Sequence, residues 1–307
     1  MKGLELCKLF FFQEGLPRIK ETAPEVLPYL AAGLGGGSQC HGNDDEVSRD
    51  HGWGPGFAIW LPKEIKSSYI ENLRIALELL PKQYLGYGWS NPEEAKYSCP
   101  ILNNDEFMMV KIGVTYAPVS DTEWLNISEE KLFEITHYPI FYDEFGEMSN
   151  RFDSFKKYYS EDVWKKRLAS HLQEAWKWDV QYVKRSVKRG DIISASLLWG
   201  RYVEHIMKVV FLLNHRYAPY EKWLYREFLK LPLFGQQVGE IISRGVHHPA
   251  DISKLTEDIE KIIIEELENL SFKPVNIPDA AYPKSTLKLL EYSMGVLDAI
   301  KNPDLKN

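Results

Sequence analysis

The spacing of apolar positions changes character near residue 150. Before that point it mixes periods. Leu4, Cys7, Phe11 and Leu16 recur at helical spacing over the first ~25 residues. The apolar run Tyr29 to Leu34 ends in glycines, and Phe57 to Leu61 is a second short apolar run, so both read as buried strands. Between Pro62 and Pro81, Ile65, Tyr69, Leu73, Ala76 and Leu80 share one helical face. Phe107 to Tyr116 alternates and predicts a strand, Ser128 caps a short helix, and Pro139 to Tyr142 is strand-like. After about Ser160 the period is helical throughout: Trp164, Leu168, Leu172, Trp176, Val180 and Val183 form one stripe. Ile192 to Leu213 becomes apolar nearly all round, as in a helix at the centre of a bundle, and further helices are expected at 251–269 and 284–301. The expected class is α+β, with a mixed α/β domain over 1–150 and an all-α helical bundle over 151–307.

Composition narrows the range of functions. Hydrophobic residues make up 44% and charged residues 26% of the 307, enough apolar material for packed cores. The net charge of -7 provides no positive field for a phosphate backbone, so nucleic acid is not an expected partner. Cys7, Cys40 and Cys99 lack the paired spacings of a disulfide framework or a zinc site. No apolar stretch approaches the ~18 residues a membrane helix needs, and the expected location is cytoplasmic.

The densest run of special residues is Gly33-Leu34-Gly35-Gly36-Gly37-Ser38, followed by Asp44-Asp45-Glu46-Val47-Ser48-Arg49-Asp50-His51-Gly52-Trp53-Gly54-Pro55. Glycines after a strand let backbone N–H groups turn toward phosphate oxygens, and a serine hydroxyl adds a donor. Gly36, Gly37 and Ser38 are therefore candidate phosphate binders. The Gly-Lys-Ser/Thr of a P-loop is absent, and Ser38 stands where a dinucleotide fingerprint needs its third glycine.

A glycine-serine turn followed twelve residues later by an acidic residue before a strand resembles the DNA polymerase β-type nucleotidyltransferase superfamily. The fuller string through Pro55, with Leu212-Leu213-Asn214-His215-Arg216-Tyr217-Ala218-Pro219-Tyr220-Glu221-Lys222-Trp223, is similar to domain-of-unknown-function family 4037 within it. The resemblance implies a nucleotidyltransferase-like fold. It also implies a nucleoside triphosphate, ATP in the first instance, with Mg²⁺ and transfer of a nucleotidyl group to a small hydroxylated acceptor. The alternative is a catalytically silent binding protein on the same scaffold.

By the same resemblance, Asp50 takes the place of the first metal carboxylate and Asp143 that of the third, both as metal ligands and catalytic groups. The second carboxylate position of the Asp-x-Asp pattern is Gly52, which has no side chain to offer. Asp44, Asp45 or Glu46 could replace it, one metal could suffice, or catalysis could be lost. Arg201, Glu204, His205 and Lys208 form a polar stripe on an apolar helix, facing solvent or a cleft. Glu204 corresponds to the general base of related antibiotic nucleotidyltransferases, and Lys222 to a lysine that meets the triphosphate. His247 and His248 read as structural.

Overall fold

The computed structural model describes residues 1–307 apart from 90, 97, 279, 280 and 307. It divides into two compact units, one of residues 1–118 and 131–157, the other of residues 119–130 and 158–307. The chain thus leaves the first unit, contributes residues 119–130 to the second and returns, an excursion with no signal in the apolar pattern. The architecture is α+β. Among the described residues no helix is long and apolar enough to cross a membrane.

The first unit is built on a four-stranded sheet of β1 (Ala31–Gly33), β2 (Ala58–Leu61), β3 (Ile101–Asn103) and β4 (Ile140–Asp143), in the order β3-β2-β1-β4. β1 runs antiparallel to β2 and to β4, while β2 and β3 are parallel. Gly33 faces Ala58 and Ile140, so the exit of β1 and the entries of β2, β3 and β4 share one end of the sheet. All four residues of β2 are buried, as expected for a strand covered on both faces. Ile59 and Leu61 join Phe10, Phe11, Ile19 and Phe57 in a core formed with the N-terminal helices, Gly3–Phe10 and Leu16–Thr22. On the other face Trp60 meets Phe107 and Phe152 edge-on, with centroids 5.3 and 5.9 Å away.

The expected strand at Phe107 to Tyr116 is instead a helix, Asn104–Lys111. Asn103 ends β3 and its side chain accepts from the amides of Asp105 (2.9 Å) and Glu106 (3.1 Å). That cap, with two acids in the first turn where the helix dipole favours them, outweighs the alternating pattern that follows. The helix expected to open at Pro62 begins at Ser67.

The second unit is helical. Glu161–Trp176 packs against Ile192–Leu213 and Lys288–Asp298, with Ile252–Asn269 completing the group. Asp191 caps the Ile192–Leu213 helix by accepting from the Ser194 amide at 3.0 Å. Trp164 donates to the Leu212 carbonyl at 2.9 Å and Ser293 to that of Ala169 at 2.9 Å, tying the helices together through buried polar groups.

Candidate functional site

The turn that leaves β1 has its carbonyls turned inward and its amides open. The Cys40 thiol donates to the Gly36 carbonyl at 3.1 Å, and the Cys40 amide donates to the Gly37 carbonyl at 3.1 Å. Asn43 and Gly42 donate to the carbonyls of Ser38 (3.0 Å) and Gln39 (3.3 Å). The amides of Gly35, Gly36, Gly37 and Ser38, in contrast, donate to no described residue. Gly37 makes this possible: its φ of 92° and ψ of 157° suit glycine alone, and a Cβ there would come within 2.5 Å of the Gln39 side chain. The Ser38 hydroxyl, half-buried, likewise has no partner among the described residues.

Beside the turn lies a cavity of about 480 Å³, within the usual range for small-molecule sites. Leu34, Gly35 and Gln39 bring the turn to its wall, and Phe57 and Ala58 bring the start of β2. The helix Asn104–Lys111 contributes Glu106, Phe107, Val110 and Lys111, one helical face. Trp89 closes another side, its indole packed on Gly54 and held by a 2.9 Å hydrogen bond to the Pro55 carbonyl. Cys7 also lines the cavity, but burial pushes its thiol up to about 12, and burial does the same to Cys40, so neither is a thiolate nucleophile at neutral pH.

Lys111 carries charge into this apolar setting. Its ammonium lies 5.9 Å from the centroid of Phe107 and 5.8 Å from that of Tyr138, and 3.3 Å from where a Cβ on Gly36 would stand. It forms no ion pair with a described carboxylate. Sequence reasoning missed Lys111, Glu106 and Trp89. Lys111 lay in a segment read as a strand and Glu106 directly before it, and their shared face exists only in helical register.

The predicted carboxylates are placed differently. Asp50 follows a 3₁₀ turn, Val47–Arg49, and not the opening of β2, which begins at Ala58. Its side chain is 66% exposed and one oxygen lies 2.6 Å from His51 Nδ1. Gly52 has a φ of 60°, so residues 50 and 52 do not project from one strand face as the Asp-x-Asp pattern requires. Asp143 ends β4 beside Ala31, while the glycine turn follows Gly33, with roughly 7 Å of strand between them. Its two oxygens accept from the amides of Gly146 (2.9 Å) and Ser149 (2.7 Å), which caps the helix Glu147–Lys156.

Asp44 is also engaged. It is 1% exposed, accepts from the Gly3 amide at 2.7 Å and Trp53 Nε1 at 3.3 Å, and so anchors the first helix. Asp45 accepts from the amide and hydroxyl of Ser48 at 3.0 and 3.1 Å. The carboxylate that does approach residue 52 is Glu94, which accepts from the Gly52 amide at 2.7 Å. Among the described residues no group of three or more His, Cys, Asp and Glu could hold a metal. A two-metal centre supplied entirely by protein carboxylates therefore does not fit these residues.

In the second unit the predicted stripe is half-buried except at the exposed Arg201, and its charges pair with one another. Glu204 pairs with Lys208 (3.2 Å) and Arg201 (3.5 Å), and Lys208 also pairs with Glu130 at 3.1 Å. His205 Nδ1 lies 3.0 Å from His171 Nδ1, and His171 Nε2 lies 3.3 Å from Glu129, a carboxylate only 3% exposed. Burial, with the nearby His171, lowers the His205 pKa to about 4, so this imidazole is neutral at pH 7. Lys222 is exposed, its ammonium 5.0 Å from the Trp223 ring. His247 ends the helix Gly235–His247 and His248 follows it, both exposed.

A family model described as "Domain of unknown function (DUF4037)" matches residues 124–224, a stretch containing Glu129, His171, Glu204, His205 and Lys222. No curated protein and no solved structure matches the chain.

Proposed function

We propose that the first unit binds a nucleoside triphosphate, with its phosphates on the turn Gly35–Ser38 and its remainder in the adjoining cavity. The observation that carries this is the row of four consecutive amides without acceptors, opening beside a cavity lined by aromatic and aliphatic groups. Half-buried N–H groups such as those of Gly35, Gly36 and Ser38 are normally paired, and successive unpaired ones are ready donors to phosphate oxygens. Binding raises stability by mass action, by about 2.7 kcal/mol at a hundred times Kd. Thermal unfolding of the full chain with each of the four nucleoside triphosphates, ATP first, with and without Mg²⁺, tests the proposal. A rise in Tm with at least one is expected. No rise with any of them at millimolar concentration would overturn it.

A second reading adds chemistry: nucleotidyl transfer from that nucleotide to a small hydroxylated acceptor. It is favoured by Glu94, which brings a carboxylate to residue 52, two positions from the exposed Asp50. Mg²⁺ is commonly held by one or two carboxylates together with substrate phosphates, so Asp50 and Glu94 are the side chains that would hold such an ion. When bound there, the ion would offset charge on the phosphates. Asp50→Asn should then abolish the Mg²⁺ dependence of nucleotide binding, read by calorimetry. Equal metal response in variant and parent would leave only the silent binding protein.

A further inference from the structure

We propose that Lys111 is the cation of a polyphosphate seat formed with the turn Gly35–Ser38, so that the site selects ligands by an exposed, multiply charged phosphate group. The inference adds a residue to the site proposed above, but it concerns the anion alone and stands whether or not a nucleoside is attached.

Three observations converge. The ammonium is directed toward the turn, 3.3 Å from the Cβ position of Gly36, and lines the same cavity as Gly35. It is held over two ring faces, Phe107 and Tyr138, with no carboxylate partner among the described residues. The acid nearest in sequence on the cavity-lining face is Glu106, and Glu134 is taken by the Tyr138 hydroxyl at 3.1 Å. A lysine in the last turn of a helix is favoured by the helix dipole, which accounts for a cation at this position. The dipole does not account for its head resting on aromatic faces at a cavity wall. Lysines elsewhere in the chain, such as Lys165, Lys184 and Lys208, find carboxylates within 3.2 Å.

The chemistry is complementary. The unpaired backbone amides of the turn and the ammonium beside Gly36 are all donors, which suits phosphate oxygens. The ammonium serves as a point charge, so arginine is an acceptable substitute in charge and a poorer one in shape.

Titration calorimetry of the full chain with inorganic tripolyphosphate, and separately with ATP and adenosine, tests the seat. The parent should bind tripolyphosphate with an affinity that falls as salt rises. Lys111→Gln should weaken tripolyphosphate and ATP at least tenfold and leave adenosine unchanged, while Lys111→Arg retains most of the affinity. An unchanged tripolyphosphate affinity in Lys111→Gln, or a parent that does not bind tripolyphosphate at millimolar concentration, would overturn the seat. If Lys111→Gln does not fold, acetylation of Lys111 in the parent, followed by mass spectrometry, decides the matter: protection by tripolyphosphate supports the seat and equal labelling overturns it. ATP binding that is indifferent to Lys111 would sink the seat and leave the nucleotide proposal standing. Tripolyphosphate binding that depends on Lys111, with no nucleotide bound, would do the reverse.

Discussion

Two polar clusters among the described residues differ in how completely the chain satisfies them. In the second unit Glu129, Glu130, His171, Glu204, His205 and Lys208 face one another at 3.0–3.3 Å, each with a partner in the cluster. At the glycine turn four amides, a serine hydroxyl and Lys111 have no described acceptor or counter-charge. A closed cluster stabilises the fold that encloses it. An open cluster contributes little to folding and is free to engage something from outside.

The comparison breaks first at Glu129. Removing one partner from a buried pair leaves the other uncompensated, and Glu129→Ala should cost about 3 kcal/mol of stability. Tripolyphosphate affinity in the first unit should not change. Urea unfolding gives the stability; a loss below about 0.5 kcal/mol would mean the cluster is a solvated face after all.

A smaller effect follows from pH. The His205 pKa lies near 4 in the folded chain against an ordinary value of 6.5, so the unfolded chain takes up that proton first as pH falls. This stabilising contribution is complete above pH 6.5 and is lost progressively toward pH 4. His205→Gln should therefore flatten the acid side of the stability profile between those limits. If the slopes of parent and variant coincide there, the imidazole is not held neutral by its surroundings.

The smallest effect sharpens the open side. Ser38→Ala removes one donor with no described partner, so stability should stay within about 0.5 kcal/mol of the parent while triphosphate binding weakens by about 1 kcal/mol. A variant that loses stability but no affinity would place Ser38 in the closed class.

Much of the fold is legible locally. The stripe from Trp164 to Val183 and the apolar Ile192–Leu213 helix follow from burial at a 3.6 period, and Pro139 to Tyr142 from strand composition. The helix Asn104–Lys111 is masked in the sequence by the alternation of Phe107 to Tyr116, and the deciding signal is the Asn103 cap four residues earlier. Lys111 is masked with it. Asp50 was legible as a residue but not as a conformation, since the positive φ of Gly52 removes it from strand geometry.

Most element types, the change of period between the halves and the glycine turn can be read locally, because propensity, capping and burial period act over a few neighbouring residues. Which polar groups are satisfied is set by tertiary contacts. Glu129 meets His171 across 42 positions, Glu94 reaches Gly52, and Lys111 arrives beside Gly36 from a separate helix. Such pairings depend on how distant segments approach in space. The same physics that closed the cluster in the helical unit left the amides after β1 without partners.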